Sequence, residues 1–192
     1  AMPLAYSVKG IELDDLVLLH SYHWNEQVRK HWKVGEGEAL KKTRAFFKKK
    51  VASYSKHKSF PAEECTTHLS PHLHFGEISP WQILEEGNKF IERSAESGIE
   101  KEVNAFIKDL AMREFAQYLL FHRPEMHHTP IESEMNTFPW AENQYYLNAW
   151  KQGMTGYPII DAAMRQLSHL GWNHSRARIL AALFLVKDLK IH

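Results

Sequence analysis

Apolar residues recur at helical spacing along most of the chain. From Glu38 to Tyr54 the positions Leu40, Phe47, Val51 and Tyr54 repeat with a helical period, and Lys41, Lys42, Lys48, Lys49 and Lys50 fall mostly between them. This predicts an amphipathic helix with a basic outer face. Ser79-Pro80-Trp81-Gln82 offers a capping serine, a proline at the first helical position and a glutamine three residues after the cap, so a helix should start there and run to about Arg93. Ile99 to His122 repeats the pattern through Val103, Phe106, Ile107, Leu110, Phe115 and Leu119, with Pro124 just beyond it. A long, largely buried helix is expected.

Thr129 to Trp140 holds two prolines and little periodicity and reads as a surface loop, followed by a short helix over 147–151. Tyr157-Pro158 opens another helix, with Ile159, Ala163 and Leu170 on one side and Gly171 as its left-handed stop. A last helix carries Ala177, Leu180, Phe184 and Leu189. No run alternates polar and apolar residues with period two, so the predicted class is all-α, a helical bundle. Residues 1–23 read as a lead-in and 24–192 as one domain. The run Ile179–Val186 is apolar almost all round, which predicts burial against a partner protein, a second copy of the chain or a segment outside these 192 residues.

Composition narrows this picture modestly. At 192 residues the chain is long enough for one core, and 12% aromatic residues argue against a disordered tail. No window approaches the roughly 18 apolar residues of a membrane span. One cysteine, Cys65, makes an internal disulfide impossible, and a cytoplasmic setting is expected. Charge is uneven: eleven Lys and Arg between Arg29 and Lys58 face only Glu36 and Glu38, a local balance of +9 in a chain of net +1. Such a run fits either a polyanion-binding face or an ordinary solvated one.

Four groups of residues could carry chemistry. His68, His72 and His74 lie close together, but their spacing matches no zinc pattern and no metal is expected. Thr66, Thr67 and Ser70 offer hydroxyls and backbone N–H groups suited to phosphate oxygens, or simply to capping a helix. Arg113-Glu114, flanked by Leu110 and Phe115, reads as a partly buried charged pair. Arg176 and Arg178 diverge by roughly 200° on a helix, so one can face inward while the other faces out.

At these residues the chain resembles the helical flavin-binding domain of the DNA photolyase and cryptochrome family. The likeness runs over residues 24–192 and is carried by Thr66-Thr67-His68-Leu69-Ser70-Pro71-His72-Leu73-His74-Phe75-Gly76-Glu77-Ile78-Ser79-Pro80, by Arg113-Glu114-Phe115, by Phe138-Pro139-Trp140, and by the stretch from Trp150 through Gly156-Tyr157-Pro158 and Gly171-Trp172 to Lys187-Asp188-Leu189. The resemblance implies FAD as cofactor, held by Tyr54, Thr66, Thr67, His68, Leu69, Ser70, Phe106, Arg113, Trp172 and Arg178. It implies damaged DNA as partner, met by Lys58, Asp109, Met112, Ser175 and Arg176, and no membrane. Trp140 would be the outermost tryptophan of an electron-transfer chain. The implied activity is light-driven, flavin-dependent repair of pyrimidine dimers flipped out of the duplex.

Several positions depart from the family pattern. Met112 stands where repair enzymes usually have Trp, Ser175 where they have Asn, Phe106 where they have Trp, and His68 where they have Arg. By the resemblance, these 192 residues stop short of the family's Asp and Asn residues around the flavin ring and do not include its antenna-binding domain, so no antenna chromophore is expected of them. Little repair activity is therefore expected of these 192 residues alone. A cryptochrome-like flavoprotein and a non-catalytic helical binding domain are the alternatives.

Overall fold

Among the described residues, 10–16, 18 and 23–191 of this computed structural model, the chain forms helices and no strand. They are α1 (His23–His31), α2 (Glu36–Lys49), α3 (Tyr54–His57), α4 (Ser70–His74), α5 (Pro80–Arg93), α6 (Ile99–His122), α7 (Gln144–Gln152), α8 (Pro158–Leu170) and α9 (Ser175–Leu183). The all-α class follows, and no helix among the described residues is long and apolar enough to cross a membrane. Most of the lead-in read over residues 1–23, and His192, lie outside the described residues.

Local chemistry sets the helix ends where the sequence signals them. The Ser79 hydroxyl accepts from the Gln82 backbone N–H at 3.1 Å, and the Gln82 side chain accepts from the Ser79 N–H at 2.8 Å, so a reciprocal box starts α5. Gly171 closes α8 at φ 67°, its N–H donating to the Leu167 carbonyl at 2.8 Å. The 129–140 segment is irregular apart from a 3-10 turn over Ser133–Thr137.

Two groups of buried side chains hold the helices together. The larger joins Ala39, Phe46 and Phe47 of α2 and Ile99, Val103, Phe106 and Leu110 of α6 to Ile83 of α5, with Val51, Tyr54, Leu69 and Ile78. Phe106 meets Phe46 at 4.7 Å and Phe47 and Tyr54 edge-on at 5.7 and 5.6 Å, arrangements favoured by aromatic quadrupoles. The smaller group is Ile160, Ala163 and Met164 of α8 with Ala177 and Ala181 of α9, flanked by Trp150 and Phe184. α1 packs on α8 and carries the chain from one group to the other.

Several expected helix faces differ in the structure. The helix read over 38–54 stops at Lys49, because Lys50 leaves helical geometry at φ −124°, and a 3-10 turn over Val51–Ser53 leads into α3. Its buried stripe is Ala39, Thr43, Phe46 and Phe47, and Lys42 turns inward. α6 has the expected bounds but buries only its first half, since α3 and α5 cover that half and Met112, Phe115, Tyr118 and Phe121 project outward. In α8 the buried stripe is Ile160, Ala163 and Met164, and Ile159 is exposed. Ile179, Leu180, Leu183 and Val186 remain exposed because α9 meets α8 through its alanines.

Candidate functional site

A cavity of 520 Å³ opens where α1, α2 and the segment before α4 meet the end of α8. His31 and Trp32 come from the end of α1. Lys42, Ala45, Phe46 and Lys49 come from α2, with Lys50 just after it. Glu64, Thr66, Thr67 and His68 come from the segment before α4, and Leu170 and Trp172 from the end of α8. The volume lies in the usual range for small-molecule sites. Its chemistry is mixed: flat rings on the walls, lysines and hydroxyls at the rim, and the single carboxylate of Glu64.

The rings are held rigidly. The Trp32 indole N–H donates to the Leu170 carbonyl at 2.7 Å, tying α1 to the end of α8. His68 stacks on Trp172 with ring centres 4.0 Å apart and planes 24° from parallel. It does so from a left-handed backbone, φ 54°, a conformation that costs a non-glycine residue energy and that recurs at ligand sites. Burial pushes the His68 imidazole pKa down, Glu64 at 3.3 Å pulls it up, and Lys50 and Lys42 push it down again.

Four of the residues that the resemblance assigns to the cofactor, Thr66, Thr67, His68 and Trp172, share this cavity. The others do not line it. Leu69, Tyr54 and Phe106 belong to the core; Phe106 is walled in by Phe46, Phe47 and Tyr54. Ser70 is exposed at the start of α4. Arg113 is partly exposed on α6, pairs with Glu114 and reaches the Leu73 carbonyl at 3.2 Å. Arg176 and Arg178 are both exposed, so neither turns inward; Arg178 lies 3.5 Å from the Ser175 hydroxyl.

Most of the residues assigned to DNA gather on a second surface. Asp109 of α6 accepts from Lys58 Nζ at 2.7 Å and from the Tyr54 hydroxyl at 2.8 Å. Burial, then the hydrogen bond to Asp109, raises the Tyr54 pKa well above its ordinary value, so the phenol stays protonated and donates. Arg176 at the start of α9 reaches the Ser59 hydroxyl, next to Lys58, at 3.5 Å. Ser175 precedes Arg176 on α9, and Met112, one turn along α6 from Asp109, is 57% exposed. Below this surface burial pushes the His174 pKa down, the Lys58 backbone works against it, and Arg176 and Arg178 reinforce it.

Trp140 packs on Phe138 with ring centres 4.5 Å apart and lines a separate cavity of 780 Å³. His68, His72 and His74 do not converge: His68 faces Glu64, His72 faces Glu77 and Lys42, and His74 is exposed. Sequence reasoning missed Trp32, Lys42 and Glu64 as cavity residues. Lys42 was hidden by its neighbours, since one inward lysine in a basic run gives no signal of its own.

This all-α chain, with a ring-walled, lysine-rimmed cavity between its two cores, is of the flavin-domain class that its motifs suggested. The family described as the FAD binding domain of DNA photolyase matches residues 106–192. Cryptochrome-1 of Arabidopsis thaliana is 35% identical over 178 residues, covering 87% of this chain and 25% of that protein. The deoxyribodipyrimidine photo-lyase of Agrobacterium fabrum is 38% identical over 168 residues, covering 88% of this chain and 34% of that protein. The crystal structure of a bacterial class III photolyase from Agrobacterium tumefaciens, 35% identical, aligns with a TM-score of 0.87 over 96% of this chain and 38% of that one. A Synechocystis cryptochrome structure, 26% identical, aligns with a TM-score of 0.76 over 83% and 33%. Over most of its length the chain is similar to members of the DNA photolyase and cryptochrome family. It spans a quarter to a third of the length of the curated relatives it matches.

Proposed function

We propose that this chain is a flavin-binding helical domain that holds the phosphate-bearing part of FAD and presents a surface to damaged DNA. The observation that carries the reading is the meeting of the Thr66-Thr67-His68 segment with Trp172, distant in sequence, around one cavity. The residues present fit such a group: Lys42, Lys49 and Lys50 supply positive charge, Thr66 and Thr67 hydroxyls, and Trp32 and Trp172 flat apolar walls. When bound, reduced flavin supplies the light-driven electron. The chain's own residues bind and orient. Leu69, Tyr54 and Phe106 brace the site from the core, while Ser70, Arg113 and Arg178 are reserved for cofactor atoms beyond the cavity. Trp140 is the surface tryptophan through which an electron enters.

On the second surface Lys58 and Arg176 meet DNA phosphates, while Asp109, Ser175 and Met112 face the lesion. Light-driven repair of pyrimidine dimers is the proposed activity of the family's fold, with little by these 192 residues alone. The exposed Met112 favours a second reading, a cryptochrome-like flavoprotein, because a thioether offers little of the flat stacking area of an indole. Binding that prefers dimer-containing over intact duplex would support repair; lesion-blind, steeply salt-dependent binding would support the second reading. The exposed apolar strip on α9 supports self-association, which sedimentation tests. The lone, buried Cys65 suits a reducing, cytoplasmic setting.

The deciding experiment is the visible spectrum of the purified chain after mixing with FAD and desalting. A retained flavin spectrum is expected. A colourless protein, with no binding in equilibrium titration either, would overturn the flavin reading.

A further inference from the structure

Lys42 differs from its neighbours on α2. Lys41, Lys48 and Lys49 are exposed, whereas the Lys42 ammonium lies 4.5 Å from the centre of the Trp32 ring and 3.0 Å from Nε2 of His72. His72 is 2% exposed, and its Nδ1 lies 2.5 Å from a Glu77 carboxylate oxygen. A lysine ammonium only donates, so Nε2 accepts from it. The ring proton therefore sits on Nδ1 and is given to Glu77. The Glu77 backbone N–H donates to the His72 carbonyl at 2.8 Å, which fixes the two ends of this loop to each other.

Glu77, His72 and Lys42 thus form one directed chain of hydrogen bonds that ends on a cation at the cavity wall. A free surface lysine samples many rotamers, and holding one at a site costs conformational entropy on binding. Here folding has already met that cost, through a histidine that is itself locked. His72 takes one of the three ammonium protons, which leaves two for a ligand beside the Thr66 and Thr67 hydroxyls. Burial lowers the Lys42 pKa while Glu38 and Glu77 raise it, so an anion in the cavity would answer a partly desolvated charge.

We propose that Lys42 is an anion-binding residue of this cavity, taking a diphosphate oxygen of the bound dinucleotide, and that His72 backed by Glu77 is the positioning residue that aims it. The identity of the ligand rests on the flavin reading; the anion chemistry does not. His72 touches no ligand and acts through Lys42. The effect is specific to phosphate, which separates it from a general loss of packing.

The test is equilibrium titration of the whole chain with FAD, with inorganic pyrophosphate and with riboflavin, read by the fluorescence of its tryptophans, with thermal unfolding confirming that each variant is folded. Lys42→Met should weaken FAD and pyrophosphate about tenfold, the usual worth of one charge-assisted hydrogen bond, and leave riboflavin unchanged. His72→Leu should do the same with Lys42 still present. His72→Gln, which can accept from Lys42 and donate to Glu77, should recover most of the loss and keeps the arm readable if the Leu variant does not fold.

Pyrophosphate binding by wild type that is lost in Lys42→Met, without FAD binding, would uphold this inference and remove the flavin reading. FAD binding that Lys42→Met leaves intact would do the reverse. Equal losses for riboflavin and FAD, or no pyrophosphate binding by the wild type, would overturn the inference.

Discussion

The region built on α2, α5 and the first half of α6 is held by large rings, whereas the region of α7, α8 and α9 is held by small side chains and polar pins. In the first, Phe46, Phe47, Tyr54 and Phe106 meet within one cluster. In the second the buried side chains include three alanines, and the geometry is set by hydrogen bonds. Asp161 accepts from the Thr155 N–H at 2.7 Å, the Thr155 hydroxyl at 2.6 Å and the Gly156 N–H at 3.0 Å. Arg165 donates twice to the Gly153 carbonyl, and the Trp150 indole N–H donates to the Ala181 carbonyl at 2.9 Å. A helix rich in alanine approaches its neighbour closely but buries little area, so direction comes from polar contacts. The cavity lies where the two kinds of packing meet.

The comparison predicts the largest loss in the ring-built region. Phe46→Ala removes a side chain that is 2% exposed and leaves its space to Phe47, Tyr54 and Phe106, which cannot all close in. A destabilisation of about 3–5 kcal/mol is expected in urea unfolding. A cost below about 1 kcal/mol would mean that this cluster is not what holds the region.

Gly153→Ala probes the pinned region by backbone rather than by burial. Gly153 sits at φ 65°, and a Cβ there would stand 2.7 Å from the Asp161 carbonyl oxygen and 2.9 Å from Arg165 Cγ. Left-handed strain and the clash together should cost about 3 kcal/mol, and near-neutral behaviour in thermal unfolding would refute the pin. Acid sharpens the same point. Burial pushes the Asp161 pKa up, but the Thr155 side chain, the Thr155 and Gly156 backbones and the Arg165 cation outweigh it, so the net shift is downward. The folded chain then holds fewer protons than the unfolded one near the ordinary aspartate value of about 3.9. The contribution is complete above that value and is lost as pH falls through the lower folded pKa. Asp161→Asn should start less stable at neutral pH and lose less between about pH 5 and about pH 2 than the wild type does.

Ser79→Ala isolates a single cap at the edge of the ring-built region. It removes the acceptor of the Gln82 N–H and one half of the box at α5, and about 1 kcal/mol is expected. This feature was legible in the sequence because a cap is a local pattern of residue types. So were the bounds of α6 and the stop at Gly171. The inward turn of Lys42 was not, because its partner His72 is distant in sequence and only the packing of α2 on its neighbours brings them together. The burial of Phe106 was legible, since it stands on the apolar stripe of α6, whereas the meeting of Thr66, Thr67 and His68 with Trp172 around one cavity follows from packing and not from any pattern of hydrophobicity.

The smallest expected effect is at the far end of α6, where periodicity alone misleads. Phe106 and Phe121 stand on one helix that the sequence reads as largely buried, yet Phe106 is 7% exposed and Phe121 is 81% exposed. Phe121→Ser should therefore change stability by less than about 0.5 kcal/mol in urea unfolding, whereas Phe106→Ser should cost several times that. Both variants make the same chemical change in the same element, so helix propensity largely cancels and the difference reports burial. A cost above about 2 kcal/mol for Phe121→Ser would show that this end is covered in solution. If the cover were a second copy, the unfolding midpoint would rise with protein concentration, as it must for any state stabilised by association, and the variant would abolish that rise.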